Sequence, residues 1–269
     1  MKILLNNNDL NEALYSVSNI GFIPTMGSLH NGHISLIKKS LRECNRTIVS
    51  IFINPTQFNS KKDFNEYPRN NKKDLIILKK LGVNFVYMPN QRDIYTSKRR
   101  KKIKLNHKDK VLCAKFRKGH FEGVIDVMDR FTELLKPKKI YMGEKDYQQF
   151  YLVKKFLQKK HKSKIILCKT IRDNNKLALS SRNFLLNRKD KLKAGRIARN
   201  LMNFKKKITK KNLNKLFFEK KKELKKFFNV KVEYLELRNK HDLKISNNIK
   251  NSKIFIAYFM NTIRLIDNF

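Results

Sequence analysis

The segment PTMGSLHNGHISL, residues 24–36, constrains the fold of this 269-residue chain more than any other stretch. The apolar residues 20–23 before it predict a short buried strand. Ile34, Leu36 and Ile37 give the following segment one apolar side, which predicts the buried face of a helix. The segment is therefore expected to join a strand to a helix through a turn that contains glycine.

Two histidines lie in this turn and at the start of the helix. His30 and His33 are three residues apart, so they share a helical face and can donate hydrogen bonds to charge that develops on a phosphoryl group. Gly27 and Gly32 lack a Cβ, so backbone N–H groups can approach a phosphate where the helix dipole favours negative charge. The alternative is that one histidine caps the turn and the other is packed. Taken alone, the HxGH motif leaves both interpretations open.

Further motifs follow along the chain and favour phosphate binding. They are SIFINPTQFN at 50–59, FRKGHFEGV at 116–124, GEKDYQQ at 143–149 and LALSSRN at 177–183. Together with PTMGSLHNGH they resemble the pantothenate synthetase family, ligases that join pantoate to β-alanine with ATP. The resemblance runs from about residue 20 to 185 and returns at RLIDN, residues 264–268. An HxGH alone would indicate only the nucleotidylyl transferase or class I aminoacyl-tRNA synthetase superfamily.

The resemblance implies a reaction in two steps, within the pathway to coenzyme A. The carboxylate of (R)-pantoate attacks the α-phosphate of ATP to give pantoyl adenylate and pyrophosphate, and the amine of β-alanine then displaces AMP. Neither step needs a protein nucleophile. The site is therefore expected to position the substrates and to stabilise charge, with no Ser/His/Asp triad.

The resemblance also implies roles for individual residues. His30, His33, Lys145 and Arg182 would act on the reacting phosphates, with His33 as the family's assigned proton donor. Gln57 and Gln149 would bind pantoate, and Gln57 would also bind β-alanine. The implied ATP site comprises Met26, Gly27, Ser28, Leu29, His30, Asn31, Gly32, His33, Gly143, Glu144, Lys145, Asp146, Ile171, Leu179, Ser180, Ser181 and Arg182. Ile171 would end a strand and contact adenine through its backbone.

Other interpretations of these side chains stay open. Lys145 and Asp146 could form an exposed ion pair worth at most ~1 kcal/mol. Asn54 in the NPTQF loop could instead be a side chain that stabilises the turn, an alternative that is less plausible for Gln57. A helix N-cap would explain either serine of the LSSR segment, so these hydroxyls are less certain phosphate ligands than the Arg182 guanidinium, which can bind phosphate bidentately. The whole interpretation requires the imidazoles and Arg182 to face one cavity.

The chain departs from the family pattern beside its motifs. Lys118 stands where proline is expected, Glu122 where arginine is common, and Asp126 where a small hydroxyl residue is typical. Lys176 replaces the glycine expected before LALSSR. We expect altered loop geometry rather than a different reaction, and Lys176 would be strained in any conformation with positive φ.

Alternating strand and helix patterns predict a Rossmann-like, doubly wound parallel sheet. The strands are expected at 47–53, 83–88, 139–142 and 165–171, and the helices at 74–81, 124–135 and 148–160. Two domains are expected: residues 1–173, which bind ATP and pantoate, and a small C-terminal α+β domain, residues 174–269. The latter has strand candidates at 230–237 and 254–260 and an apolar helical stripe of Leu213, Leu216, Phe217, Leu224 and Phe227. The resemblance implies that this small domain closes over the site and that residues 1–173 form a homodimer.

The composition is strongly basic, with 63 Lys and Arg against 22 Asp and Glu and a formal net charge of +41. Polycations gain affinity for phosphate backbones by releasing counterions, so RNA binding is an alternative function. The densest basic run, residues 97–104, has no interleaved aromatic residues on which bases could stack. Abundant lysine, asparagine and isoleucine indicate biased codon usage. We therefore expect a solvated basic surface and no nucleic-acid partner.

Three further properties bound the function. No apolar stretch approaches the ~20 residues of a membrane span, and the start of the chain lacks a secretory signal, so we expect a cytoplasmic protein without membrane association. Cys44, Cys113 and Cys168 are widely separated and match neither a disulfide framework nor a metal-binding pair. We expect Mg²⁺ only as the counterion of the nucleotide, because the sequence has no dedicated carboxylate cage.

Overall fold

The computed structural model of the chain describes residues 1–96 and 102–269. Its larger sheet has six parallel strands: β1 Lys2–Leu4, β2 Ile20–Thr25, β3 Arg46–Ile51, β4 Phe85–Tyr87, β5 Lys139–Gly143 and β6 Lys164–Cys168. The central strands are continuous apolar runs because helices cover both faces, and Phe22, Ile23, Ile48 and Val49 are fully buried. The Rossmann-like parallel sheet expected from the sequence is confirmed.

Helices connect these strands and continue beyond them. They are α1 Asn7–Leu14, α2 Asn31–Glu43, α3 Lys61–Asn65, α4 Asn71–Lys80, α5 Gln91–Ile94, α6 Cys113–Phe116, α7 His120–Leu135, α8 Tyr147–Leu157, α9 Arg188–Lys207 and α10 Leu213–Phe228. Short 3₁₀ helices span Pro55–Gln57, His107–Asp109, Glu144–Asp146 and Ser181–Leu185. Side chains of Asn6, Ser60, Asn70 and Asn187 accept a backbone N–H at the start of four of these helices, which satisfies amide groups that the helix itself leaves unpaired.

The strand order of the larger sheet is β1-β4-β3-β2-β5-β6. Chain connections run from β2 outward through β3 to β4 on one side, and from β5 to β6 on the other. The order therefore reverses between β2 and β5, which lie side by side. In open α/β sheets, ligands bind outside the carboxyl ends of the strands at such a reversal. The segment that follows Thr25 and the segment that follows Gly143 both begin at this point.

A second sheet is antiparallel and has three strands: β7 Lys231–Asn239, β8 Ser252–Met260 and β9 Ile263–Asn268. It packs with α9 and α10 around a separate apolar core. Leu213, Phe217 and Leu224 are buried as expected, but Phe227 is 74% exposed, so its place in the apolar stripe was predicted wrongly. The strand β9 was not predicted, although the RLIDN motif lies within it.

The strand expected at 165–171 ends earlier, at Cys168. β6 is an edge strand that pairs only with β5, and its last partner is Gly143, after which the chain turns into a 3₁₀ helix. Without a neighbour to pair with, the ladder stops, and Ile171 lies three residues beyond it. The division at residues 173 and 174 stays a prediction.

Two further observations bear on the sequence predictions. Most of the basic run at 97–104 lies outside the described residues. Within residues 1–96 and 102–269, every helix is too short or too polar to cross a membrane.

Candidate active site

A cavity of about 700 Å³ opens at the carboxyl ends of β2 and β5. This volume is within the range of small-molecule sites. Loops from separate parts of the chain form its wall, and the C-terminal sheet contributes one side. Among the lining residues are His30, His33, Gln57, Lys145, Asp146, Gln149, Ser180, Ser181 and Arg182. The imidazoles and the guanidinium that the sequence required to share a cavity therefore do so.

The turn after β2 is held by a buried carboxylate. Asp74 on α4 accepts the backbone N–H of Ser28 at 2.7 Å and that of Leu29 at 2.8 Å. Gly27 has φ +76°, and a Cβ there would lie 3.0 Å from the Asp74 Oδ2 atom. Its N–H donates to Thr25 Oγ1 at 3.1 Å. The N–H groups of Ser28 and Leu29 are thus bound by the Asp74 carboxylate and that of Gly27 by a hydroxyl, which corrects the expectation that the amides of this turn point to a phosphate.

The two histidines form the N-terminal cap of α2. The N–H of Gly32 donates to His30 Nδ1 at 3.1 Å, and the N–H of His30 donates to His33 Nδ1 at 3.4 Å. The ring centroids are 4.1 Å apart. Because Nδ1 accepts in both rings, the proton of each neutral imidazole lies on Nε2. A Cβ on Gly32 would come within 2.7 Å of the His30 ring, so only glycine permits this cap.

Burial keeps both imidazoles uncharged. It lowers the pKa of His30 to about 4, with the Lys145 ammonium as the next cause. Burial also lowers the pKa of His33 well below its usual value, followed by the effects of His30 and Lys145. At neutral pH the pair therefore offers two N–H donors without positive charge. His30 caps a helix and also lines the cavity, so the two interpretations of the motif are compatible.

Asn54 and Gln57 of the NPTQF loop both line the cavity, but their side chains have different partners. Asn54 is 1% exposed, donates to the Gly123 carbonyl at 3.2 Å and accepts from the Tyr95 hydroxyl at 2.8 Å. Its Oδ1 atom also accepts the N–H of Thr56 at 3.3 Å, which supports the turn-stabilising interpretation of Asn54. Gln57 lines the cavity, and its amide nitrogen donates to the Met26 sulfur.

The GEKD segment follows β5 and forms a 3₁₀ helix. Lys145 Nζ lies 3.3 Å from Asp146 Oδ1, and the side chains are 17% and 45% exposed. The pair is thus only partly exposed, with the lysine turned into the cavity wall. Glu144 points elsewhere and pairs with Lys253 on β8 at 2.9 Å. In this segment, Lys145 and Asp146 are the charged side chains available to a ligand.

In the LSSR segment, three side chains have three different partners. Ser180 caps the 3₁₀ helix by accepting the N–H of Arg182 at 3.3 Å. Ser181 Oγ donates to the Ser28 carbonyl at 3.1 Å and so connects the LSSR segment to the turn after β2. Arg182 donates to both Asp63 carboxylate oxygens, at 2.8 and 2.9 Å. The N-cap alternative therefore applies to Ser180, and the Arg182 guanidinium is held by a carboxylate from α3.

Arg117 and His120 also line the cavity, but we did not predict them as site residues. His120 Nδ1 donates to the Gln57 carbonyl at 2.6 Å, so its Nε2 accepts from Arg117 Nη1 at 2.9 Å. Burial, followed by the Arg182 charge, lowers the pKa of Arg117 to about 10. Within residues 1–96 and 102–269, Arg117 forms no ion pair with a carboxylate. The signal was present in the FRKGHFEGV motif, in which both residues are polar and flank a glycine.

The departures from the family pattern have local effects. Lys176 has φ +74°, so a lysine occupies the conformation that glycine adopts freely. Asp126 forms an ion pair with Arg130 at 3.1 Å, one turn along α7. Lys118 is exposed, and Glu122 lies in the first turn of α7, where the helix dipole favours an acidic side chain.

Comparisons with known proteins agree with this geometry. The model of the family described as pantoate-beta-alanine ligase matches residues 2–269. Pantothenate synthetase from Flavobacterium psychrophilum is 40% identical over 255 residues, covering 93% of this chain and 90% of that protein. Pantothenate synthetase from Helicobacter pylori strain Shi470 is 40% identical over 257 residues, covering 93% and 92%.

Solved structures extend the match to the whole fold. The crystal structure of pantothenate synthetase from Thermus thermophilus has a TM-score of 0.92 at 28% identity, covering 100% of this chain and 99% of that chain. That of pantoate-beta-alanine ligase from Francisella tularensis, complexed with beta-gamma ATP and beta-alanine, has a TM-score of 0.85 at 36% identity, covering 100% and 97%. Since the family model spans nearly all of the chain and relatives at 40% identity cover more than nine-tenths of it, this protein belongs to the pantoate-beta-alanine ligase family.

Proposed function

We propose that this chain is an ATP-dependent, AMP-forming ligase that condenses (R)-pantoate with β-alanine. A carboxylate oxygen of pantoate attacks the α-phosphorus of ATP, the bond to the bridging α–β oxygen breaks, and pyrophosphate leaves. The amine of β-alanine then attacks the acyl carbon of pantoyl adenylate, the bond from that carbon to the phosphate oxygen breaks, and AMP leaves. The nitrogen loses a proton, and pantothenate is the product.

The observation that carries the proposal is one cavity with three kinds of phosphate donor. His30 and His33 supply neutral N–H groups, and Lys145 and Arg182 supply positive charge. Charge that develops on the α-phosphate and on leaving pyrophosphate would be stabilised by these donors, of which the two imidazoles are already fixed as the cap of α2. The cavity lies at the reversal of the strand order, where ligands bind in this class of fold.

The proposed roles follow from these positions. Nε2–H of His30 and of His33 donates to phosphate oxygens. Because burial keeps His33 uncharged, its proposed role is to supply a hydrogen bond, which differs from the proton-donor role that the resemblance implies. The Lys145 ammonium lies beside the α-phosphate, and Arg182 binds the outer phosphates. Gln57 and Gln149 bind pantoate through amide groups that both donate and accept. Of the remaining residues of the implied ATP site, Gly27, Ser28, Leu29, Asn31 and Glu144 lie outside the cavity lining. The others line it and keep the roles that the resemblance implies, Ile171 through its backbone.

Mg²⁺ fits this site only as an ion carried by the nucleotide. Within the described residues, no three His, Cys, Asp or Glu side chains cluster as metal ligands. Asp146 and Asp63 lie on the wall, but each already pairs with a cation, Lys145 or Arg182. An ion held mainly by phosphates and water needs no protein cage. Its charge would screen the phosphates from the attacking carboxylate.

The test is an assay with ATP, pantoate labelled with ¹⁸O in its carboxylate, and β-alanine. An acyl-adenylate route predicts AMP as the nucleotide product and one ¹⁸O atom transferred from pantoate to its phosphate. Turnover should require β-alanine. Formation of ADP would overturn the proposed chemistry. AMP transfer to pantoate at the same steady rate without the amine would instead indicate a nucleotidylyl transferase.

The proposal includes the assembly that the resemblance implies. Residues 1–173 would form the dimer contact, and residues 174–269 would close over the bound adenylate and exclude water. Light scattering coupled to size-exclusion chromatography should give twice the chain mass of 32.1 kDa. A monomer at micromolar concentration would remove the homodimer from the proposal and leave the reaction in place.

A further inference from the structure

The RLIDN motif, residues 264–268, makes up nearly all of β9, and its first four residues line the cavity. Its last residue, Asn268, is 4% exposed. The Asn268 amide nitrogen donates to the Glu144 carbonyl at 2.7 Å and to the Lys145 carbonyl at 3.0 Å. These bonds span more than 120 residues of sequence, so the final strand holds the backbone of the GEKD segment directly.

Asp267, the neighbouring residue, holds the other nucleotide segment. Arg172 donates to both of its carboxylate oxygens, at 2.6 and 2.8 Å. Arg172 also donates to the Lys176 carbonyl at 2.9 Å. Residues 172 and 178 are paired as a β-bridge, so this ion pair fixes the hairpin that leads into LSSR. Two adjacent side chains of β9 therefore brace both segments.

We propose that Asn268, with Asp267, is a positioning residue that sets the place of Lys145 relative to the LSSR segment and thereby tunes ATP binding. The inference deepens the proposed function and rests on it for the identity of the nucleotide. Asn268 itself lies outside the cavity lining. It acts by fixing the two carbonyl groups that bracket the Lys145 backbone.

Asparagine suits this place for a chemical reason. Both carbonyl oxygens are acceptors, so the group that faces them must be a double donor, and the Asn268 amide nitrogen provides two N–H bonds. The Asn268 N–H donates to Asp267 Oδ1 at 2.8 Å, which orients the ion-paired carboxylate. An aspartate at 268 would have the same shape but would place a carboxylate against two carbonyl oxygens. The segment would then move away to relieve the repulsion.

The test compares Asn268→Asp with the wild type in steady-state kinetics. We expect the KM for ATP to rise about tenfold or more, since two buried hydrogen bonds are replaced by repulsion. The KM for β-alanine should stay within twofold. Hydrogen exchange measured by mass spectrometry should become faster in peptides that cover residues 143–149, and stay unchanged in β7.

A matched control is Ser252→Ala. Ser252 is 2% exposed in the same sheet, and its hydroxyl bonds to the Asn248 carbonyl, outside the cavity wall. Its loss should lower the unfolding midpoint without altering the KM for ATP. If Asn268→Asp does not fold, Asn268→Ala removes the same donors without repulsion and should give the same pattern with a smaller change.

The proposal is overturned if Asn268→Asp folds and leaves both the KM for ATP and the exchange of residues 143–149 unchanged. It is also overturned if the variant lowers kcat and raises both KM values alike, which would indicate general loosening. The proposed function fails separately, when the wild type makes no AMP from ATP, pantoate and β-alanine. In that case the hydrogen-exchange comparison still tests the bracing of the GEKD segment, because it needs no substrate.

Discussion

The two sides of the cavity are built in different ways. The HxGH side is held by hydrogen bonds within the parallel-sheet region, in which the Asp74 carboxylate and the His30 and His33 rings accept backbone N–H groups. Its donors to a ligand are neutral. The opposite side is held by ion pairs that reach across the molecule, such as that of Arg182 with Asp63 and that of Arg172 with Asp267. Its donors are charged.

This difference means that the neutral side is preorganised for a ligand, whereas on the charged side a ligand must compete with a carboxylate. The neutral imidazoles face the cavity with no counter-charge to displace, so their hydrogen bonds need little rearrangement when charge develops. To bind a phosphate, Arg182 would have to exchange the Asp63 carboxylate for it, and the net gain would be only the difference between the two interactions. We therefore expect substitutions on the HxGH side to affect kcat strongly, and those on the ion-paired side to affect the KM for ATP modestly.

The largest expected effect is that of His33→Ala. Loss of one preorganised donor to transition-state charge should lower kcat by about 10²–10³-fold. Steady-state AMP release measures it. His241→Ala, at an exposed turn, is the control and should keep the wild-type rate. A kcat within threefold of wild type would show that the neutral side does not carry the chemistry.

Asp74→Asn tests whether the turn after β2 depends on its internal anion. An asparagine amide has one acceptor oxygen where the carboxylate has two, so the turn loses one of its two hydrogen bonds. The free energy of unfolding should fall by about 2–3 kcal/mol. Displacement of the histidines should lower kcat/KM about tenfold or more. Asp109→Asn is the control, because Asp109 is equally buried but pairs with Lys155 away from the cavity. It should lose stability and keep its kinetics.

The pH dependence tests the neutrality of the same side. Since the pKa of His30 lies at about 4, below the ordinary 6.5, its ring should stay neutral from pH 8 down to about 5. The unfolded chain takes up that proton near pH 6.5, so the free energy of unfolding should fall as the pH drops from 6.5 to 4. Long-range ¹H–¹⁵N spectra should show Nε2–H tautomers for His30 and His33 but Nδ1–H for His120. An imidazolium signal from His30 at pH 6 contradicts this account.

Asp63→Asn addresses competition on the charged side. Removing the carboxylate frees Arg182 for phosphate, and since the pair is partly exposed the KM for ATP should fall by no more than about fivefold. Glu66→Gln changes the charge equally but removes only the neighbouring pair with Lys62, at 3.8 Å, and should have a smaller effect. A higher KM in Asp63→Asn would mean that the carboxylate orients the guanidinium instead of competing for it.

The smallest effect is expected for Lys176→Gly. Glycine relieves the strain of a lysine at φ +74° but increases the entropy of the unfolded chain. The free energy of unfolding should rise by about 0.5–1 kcal/mol in urea denaturation. Lys118→Gly, an exposed lysine at negative φ, should instead lower it. A loss of stability in Lys176→Gly would contradict the presence of strain.

Local patterns predicted the parallel sheet well because apolar runs and glycine turns act over a few residues. Most of the site residues that the motifs identified line the cavity. Partners distant in sequence were beyond this reasoning. Asp74 looks like an ordinary acid near a helix start, yet it binds a turn 45 residues earlier. Asp63 and Arg182 are 119 residues apart, and either could have been a solvated charge.

The end of β6 and the role of β9 were missed for a related reason. A strand stops where its neighbour stops, and the sequence of residues 165–171 carries no record of where β5 turns. The RLIDN motif could be recognised from its sequence. The role of Asn268, however, depends on its hydrogen bonds to two backbone carbonyl groups, and every residue has such a group. Hydrogen bonds to the backbone therefore cannot be predicted from the residue types of the partners.

The carboxylate seated in the turn after β2 also has a consequence for the design of inhibitors. An acidic group on a compound is usually favourable against the amide groups of a glycine turn at a helix start. Here the Asp74 carboxylate already accepts N–H groups of the turn. A negatively charged group placed against this turn would be repelled by the Asp74 carboxylate. A linker with uncharged oxygen acceptors directed at the imidazole N–H atoms suits this site better.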